Sequence, residues 1–287
     1  MKELFRVHKE GVYASLQDKG RKGYRAFGMP SAGPMDTYAF GLGNKIIGNS
    51  SNATAIELFL GGLSLEILAA HTIVIGGADL KAEIDGRQIP LWKTITVSKG
   101  QVLSFVKPMQ GSIAYIFALG GFVTETIMGS NSAYIRAGIG DTLKKGTILS
   151  VPNIPQVNLR RGLITTEVPI YNREVEVSVW ESPHLSLFKE DSIHTFFHSE
   201  YTYRGGDRMG YYFNGPKLHF IDKSDILSEA TQFGTIQVPS NGQPVILMAD
   251  AQTVGGYATI GKVADSDLWK VAQLRNGGKL TFKLLLN

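Results

Sequence analysis

The sequence predicts an all-β fold with a few short helices, a barrel or a sandwich. Two observations carry this. Short apolar runs recur at roughly ten-residue spacing, as strands joined by tight turns do. Turn signals separate them: Gly61-Gly62, Gly76-Gly77 and Asp85-Gly86, the last a strong hairpin signal. The 287 residues suffice for one large domain or two ordinary ones, and 43% apolar content can fill a sizeable core.

In chain order, residues 3 to 16 alternate loosely and read as two short strands around Gly11. A loop follows, through Gln17, Asp18, Arg21, Arg25, Ser31 and Asp36. Glycines at 20, 23, 28 and 33 and prolines at 30 and 34 forbid a helix or a long strand. The loop has apolar anchors in Leu16, Tyr24, Phe27, Met29 and Met35, so it is expected to be ordered. Asp36 is a good N-cap and Gly48 a good C-cap for a helix between them, with Ala39, Leu42 and Ile46 on one face. Its internal glycines cost up to ~1 kcal/mol each and imply close packing on a neighbour.

Strands are then expected at 55–60, 64–68, 72–75, 81–84, 87–90, 94–97, 102–106 and 112–119. Val151-Pro152-Asn153-Ile154-Pro155 has linker chemistry. In the second half, strands are expected at 175–180, 211–213, 217–221, 235–238, 244–249 and 280–286. Helical turns are expected at Ser182-Pro183, 191–197 and 265–274. No repeat has a fixed period, although the two halves look architecturally alike. The division is placed at 1–152 and 153–287.

Net charge is +4, with the basic residues scattered. Nucleic-acid binding would want a basic stripe interleaved with aromatics, and none is present. The absence of cysteine excludes a disulfide scaffold, thiolate metal sites and cysteine nucleophiles. No window approaches the ~18 consecutive apolar residues of a spanning helix, and Met1–Arg6 opens no secretory signal. The chain reads as soluble and cytoplasmic.

Three stretches could hold a ligand. The loop offers an amide (Gln17), carboxylates (Asp18, Asp36), guanidinium groups (Arg21, Arg25) and a hydroxyl (Ser31), a set able to grip an anionic or amide-bearing small molecule. It reads equally as a compact surface loop whose polar side chains satisfy local backbone. Arg204-Gly205-Gly206-Asp207-Arg208-Met209-Gly210 lets the backbone approach a ligand and offers a planar fork; its bland alternative is a turn with a surface ion pair. Gln237, then Asp250, Gln252 and Tyr257 around Gly255-Gly256, form the third.

Gly256–Val263 nearly spells a phosphate loop, but Val263 stands where a magnesium-binding hydroxyl is required. A glycine-rich turn followed by a strand is the better reading. His194 and His198 lie one helical turn apart, yet Thr195 replaces the glutamate of a zinc peptidase, so a structural pair with water or backbone partners is expected and no metal site is assigned. No G-x-S-x-G occurs.

The run Gln17-Asp18 with Gly20-Arg21 and Gly23-Tyr24, then Gly28, Pro30, Gly33 and Met35-Asp36, resembles the opening signature of the KipA-like family. That family is also called the 5-oxoprolinase C-subunit family, allophanate hydrolase subunit 2, or biotin-dependent carboxyltransferase-like. Further blocks follow in the family's order: Glu57–Gly62, Gly76–Leu80, Gly120–Phe122, Gly129–Ser132, Asp207–Gly210, Gly234–Pro239, and Gln252-Thr253 with Gly255–Tyr257. Tyr212 and Ala251 depart from it, standing where arginines are common.

The resemblance implies two barrel-like subdomains of cyclophilin-like character. It implies a KipI-like partner and a LamB/YcsF-like partner, and an ATP-dependent opening of the 5-oxoproline lactam to glutamate, with ATP and magnesium bound by or shared with a partner. The same family includes the carboxyltransferase part of urea carboxylase. A KipA-type antagonist of a KipI-like kinase inhibitor is the non-catalytic alternative. No biotin-acceptor Met-Lys-Met is present, so no biotin is expected on this chain. Within that picture Asp18, Asp36, Asp207 and Asp250 are expected to do metal or general-base work. Gln17, Arg21, Ser31, Arg208, Gln237, Gln252 and Tyr257 are expected to contact substrate.

Overall fold

A computed structural model describes residues 1–155 and 159–285. They form two compact units. The first comprises Met1–Arg21 with Ala32–Tyr171; the second comprises Lys22–Ser31 with the chain from Asn172 onward. The expected division at 152 thus differs from the change of unit at Tyr171, and the middle of the long loop belongs with the second unit.

The first unit holds β1 (Lys2–Lys9), β2 (Tyr13–Gln17), α1 (Thr37–Ile47), β3 (Ala55–Phe59), β4 (Ser64–Ile67), β5 (His71–Asp79), β6 (Ala82–Ile84), β7 (Arg87–Gln88), β8 (Thr94–Val97), β9 (Val102–Phe105), β10 (Gln110–Ala118) and β11 (Ile148–Val151). One sheet runs β11-β1-β4-β9-β6-β7 and the other β2-β3-β10-β5-β8. Phe5, Leu65 and Leu103 from the first sheet and Ile56, Ile75 and Ile116 from the second meet in one apolar core.

Asp36 caps α1, its carboxylate accepting from the Ala39 N–H at 2.8 Å, and Gly48 ends it in the left-handed region at φ 82°. Gly43 has the close packing that its sequence position implied: a Cβ there would fall 2.0 Å from the Phe117 ring. β5 runs past its expected end because Gly76-Gly77 is not a turn: the two glycines stay in the ladder opposite Tyr115 and Ala114 of β10. Gly76 lies against the Trp92 ring, and Gly77, at φ 79°, presses on the Ile113 carbonyl. β11, unassigned from sequence apart from Val151 at the head of the expected linker, pairs with β1 and buries Leu149 and Val151.

The second unit holds β12 (Glu174–Glu181), α2 (Glu190–His198), β13 (Tyr201–Gly206), β14 (Gly210–Asn214), β15 (Asp225–Ala230), β16 (Thr235–Gln237), β17 (Val245–Leu247), β18 (Val254–Tyr257), β19 (Thr259–Val263), α3 (Leu268–Ala272) and β20 (Lys279–Leu284). Seven strands close a barrel in the order β12-β19-β16-β17-β14-β13-β20, with β12 and β20 parallel. Val177, Phe213, Ile236, Ile246, Ile260 and Phe282 are buried. β15 and β18 form a separate two-stranded ribbon.

Several expectations shift here. Residues 217–221 form no strand, only a bridge between Phe188 and Phe220. After Ser182-Pro183 the turn is a 3-10 turn at Leu185–Leu187. α3 starts at Leu268, later than expected, and the Asp267 carboxylate takes the Ser178 N–H and the Lys270 ammonium instead of capping its own helix. The expected strand end at Leu286 lies outside the described residues.

The two glycines inside α1 should respond oppositely to alanine. Gly43→Ala collides with Phe117 and should cost about 1–3 kcal/mol, read as a lower Tm. Gly41→Ala meets nothing within 4 Å and should gain up to ~1 kcal/mol of helix propensity.

Candidate functional site

The site residues expected from sequence fall in both units, and each group is taken by itself. In the first unit, Asp18 follows the end of β2 and is 1% exposed. Its carboxylate accepts from Ser130 Oγ (2.6 Å), Ser132 Oγ (2.7 Å), Asn131 N (2.7 Å) and Gly20 N (2.9 Å). Burial pushes this carboxyl up, but the four hydrogen bonds outweigh it and hold it below the ordinary value. A carboxylate so engaged is suited to holding a loop.

Neighbouring groups reinforce the same junction. The Arg21 guanidinium is buried and donates to the Ser132 carbonyl. Gln17 donates to Ser15 Oγ at 3.0 Å and to the Ala133 carbonyl at 3.3 Å. Asp36 sits in a buried group with Glu57, Tyr115 and Tyr171. Tyr115 donates to Glu57 Oε2 at 2.6 Å, and the Met35 N–H reaches that oxygen at 2.8 Å. Burial first, then the Glu57 and Asp36 charges, push the Tyr115 hydroxyl far above its ordinary value; burial and Asp36 do the same to Tyr171. These tyrosines are fixed hydrogen-bonding posts around the N-terminus of α1.

In the second unit, Asp207 turns the β13–β14 hairpin by accepting from the Met209 N–H at 2.7 Å. Arg208 and Asp250 meet as a bidentate pair at 2.9 and 2.7 Å, with side chains 6% and 9% exposed. The Asp250 N–H also donates to the Arg208 carbonyl at 2.7 Å. The surface ion pair anticipated as the bland alternative at this turn is therefore a buried clamp between the hairpin and the segment after β17. Tyr212 carries the Arg204 guanidinium over its ring at 5.6 Å. Ala251 is buried. Ser31 is half-buried in the extended end of the loop. Arg25, three residues before Gly28, reaches the Thr231 carbonyl at 2.5 Å.

Two of the remaining expected residues line a cleft of about 250 Å³ in the second unit, and Gln252 contacts one of them. Gln237 on β16 and Tyr257 at the end of β18 line it, with Thr231, Thr235 and Lys262. Gln237 is 3% exposed; its Oε1 accepts from Gln252 Nε2 at 3.4 Å and its Nε2 is buried with no hydrogen-bond partner. A buried amide donor left unmatched costs about 1–3 kcal/mol, which an acceptor oxygen entering the cleft would recover. Gly255 makes room for that amide: a Cβ there would lie 2.3 Å from Nε2.

The same cleft is lined by residues that sequence reading passed over. His184 Nε2 faces Glu229 Oε2 at 3.2 Å, while its Nδ1 lies 3.0 Å from Thr259 Oγ1 and 3.3 Å from the Thr259 N–H. Thr259 Oγ1 lies 2.5 Å from Ser182 Oγ. No local motif joins residues 182, 184, 229 and 259; only the barrel register and the ribbon bring them together. The available signal was a histidine directly after the turn-forming Ser182-Pro183.

Gly256–Val263 is built from β18 and β19, so the expected strand is present, but the glycines expected to form a turn before it lie in a strand of their own. His194 and His198 stack at 4.0 Å, and His198 Nδ1 contacts the His194 carbonyl at 2.8 Å, which makes them a structural pair. Among the described residues, no group of three or more acidic or histidine side chains could hold a metal ion.

Comparison with known proteins gives the family and the fold. The family model described as "Carboxyltransferase domain, subdomain A and B" matches residues 27–284. The C subunit of 5-oxoprolinase from Haemophilus influenzae is 36% identical over 275 residues, covering 94% of this chain and 87% of that protein. The Escherichia coli protein of the same name is 30% identical over 284 residues, covering 97% and 90%. The solved urea amidolyase of K. lactis superposes with a TM-score of 0.91 at 29% identity, covering all of this chain and 19% of its own. The chain spans just over half, 55%, of the solved protein TTHA0988, with a TM-score of 0.90 at 26% identity.

Two stability measurements check the holding roles. Asp18→Asn should destabilise by about 3 kcal/mol at neutral pH. Because the folded carboxyl titrates below its unfolded value of about 3.9, this difference should be full above that pH and close as pH falls through the lower folded value. Arg208→Met should cost about 3–5 kcal/mol by stranding Asp250, and Arg208→Met with Asp250→Leu should recover most of it, as read by denaturant midpoints.

Proposed function

The chain belongs to the carboxyltransferase subdomain A and B family, and on that footing we propose that it is the C subunit of an ATP-dependent 5-oxoprolinase in the cytoplasm. The observation that carries the reading is full-length similarity to proteins of that name, over 87% and 90% of their lengths. Against urea amidolyase of Saccharomyces cerevisiae, 31% identical, it covers only 16% of the relative.

In this reading the chain holds the lactam, while a KipI-like and a LamB/YcsF-like partner complete the site. Gln237 and Gln252 suit a lactam, which presents one carbonyl acceptor and one N–H donor side by side: a carboxamide offers the complementary pair. Tyr257 and Ser31 add hydroxyls. Asp18, Arg21, Asp36, Arg208 and Asp250 hold the frame, and Gln17 and Asp207 belong to it. ATP with magnesium is bound by a partner.

The second reading is a carboxyltransferase component that receives carboxybiotin from another chain. It is favoured by the superposition on the K. lactis urea carboxylase, TM-score 0.91 over the whole of this chain.

The test is reconstitution. The chain is mixed with the two partners, 5-oxoproline, ATP and magnesium, and glutamate is measured. Release that needs all three chains is expected. An assembled complex that yields none, but carboxylates urea from carboxybiotin, would replace the first reading with the second.

A further inference from the structure

One wall of the barrel cleft has no role in the reading above; it carries Ser182, His184, Glu229 and Thr259. We propose that these four residues form a proton relay serving a small amide whose carbonyl oxygen is anchored by Gln237 Nε2. The proposal rests on the reading that the Gln237 cleft holds an amide ligand, and adds the groups that move its proton.

The tautomer follows from the contacts. The Thr259 N–H can only donate, so His184 Nδ1, 3.3 Å away, is an acceptor. Nε2 therefore carries the hydrogen and points it at Glu229, 3.2 Å away. With Nδ1 an acceptor, the Thr259 hydroxyl at 3.0 Å donates to it, and Ser182 donates to Thr259 at 2.5 Å. Ser182 Oγ in turn accepts from the His184 N–H at 3.1 Å, which fixes its own rotation. The chain of donors runs in one direction, from Ser182 through Thr259 to the imidazole.

A turn-capping histidine would explain the Ser182 contact alone. It would not explain two further elements arriving on the same ring, Glu229 from β15 and Thr259 from β19. Nor would it explain the register that sets Thr259 opposite Gln237 across the β16–β19 ladder. The imidazole is 16% exposed at the wall while Glu229 is 61% exposed, so the carboxylate can swing aside and leave Nε2–H facing the cleft.

The balanced step is a shuttle. When an amide C–N bond breaks, the departing nitrogen takes the proton from Nε2. Nδ1 takes the Thr259 hydroxyl proton, Thr259 takes that of Ser182, and Ser182 takes one from a cleft water whose hydroxide adds to the carbonyl carbon, forming the C–O bond that replaces the broken C–N bond. The imidazole ends neutral in its other tautomer and is reset by the reverse exchange with solvent. When an amide nitrogen is instead carboxylated, it sheds a proton and the relay runs backwards. His184 touches the ligand and is catalytic; Glu229 and Thr259 are positioning residues.

The assembled complex is assayed with 5-oxoproline and, separately, with urea and carboxybiotin, so that the two amide sources are distinguished. His184→Gln should lower kcat by about 10²- to 10⁴-fold with KM little changed. Glu229→Gln and Thr259→Val should lower kcat and move the pH profile. The other ionisable groups lining the cleft are Glu181, Tyr257 and Lys262, the last paired with Asp265. Gln237→Leu should raise KM. If wild type turns over either amide and His184→Gln keeps its kcat and pH profile, the relay is overturned while the functional reading stands. If wild type turns over neither, the functional reading fails and the ring nitrogens decide. Saturable shifts of the His184 ¹⁵N signals on adding either amide, abolished by Gln237→Leu, support the relay; no shift with either overturns it.

Discussion

Four donors converging on the Asp18 carboxylate set the terms for the first unit. A charge 1% exposed must be matched, and here Gly20 and the Ser130–Ser132 segment match it fully. The result ties the end of β2 to a loop more than a hundred residues later in the chain, and Arg21 and Gln17 fasten the same junction. The Arg208–Asp250 clamp does the equivalent work in the barrel unit. In both places the charged groups are matched by each other, by serine hydroxyls or by the backbone, and the proposed ligand chemistry falls to neutral amides, hydroxyls and one imidazole.

The barrel is what makes those neutral groups converge. Closing seven strands fixes the register between β16 and β19, so Gln237 and Thr259 stand side by side. The β15–β18 ribbon brings Glu229 and Tyr257 to the same cleft, and Gly255 leaves space for the Gln237 amide. Only a strand position without a side chain allows the buried amide to lie there. A frame of this kind holds an unmatched donor because the surrounding ladders over-determine its place.

Much of the fold was legible in the sequence because local signals agreed with the global outcome. Asp36 and Gly48 bracket α1 as their capping chemistry requires, and the β-rich series from 55 to 119 follows its turn signals. The exceptions are instructive. Gly76-Gly77 has turn composition, but it stays in the β5–β10 ladder, where Trp92 and Ile113 leave no room for a side chain. β13, β15 and β18 have little apolar alternation, since part of each faces solvent, and pairing sets them instead. Charged side chains drew attention to Asp18, Arg208 and Asp250. Asp18 finds partners 112 to 114 residues away, and Arg208 meets Asp250 across 42. Sequence spacing cannot distinguish a carboxylate that is hydrogen-bonded from one that is available. The pair His194 and His198 was visible as a spacing, whereas His184 gains its partners only through tertiary pairing.

The central claim is that the ligand sits among the amides of the barrel cleft and not on the charged residues. The position of bound 5-oxoproline in a crystal structure of the assembled complex tests this most directly. The lactam carbonyl oxygen is predicted to lie within hydrogen-bonding distance of Gln237 Nε2, with Asp18 and the Arg208–Asp250 pair retaining their present partners. A lactam seated on Asp18 or on an Arg208 released from Asp250 would contradict it.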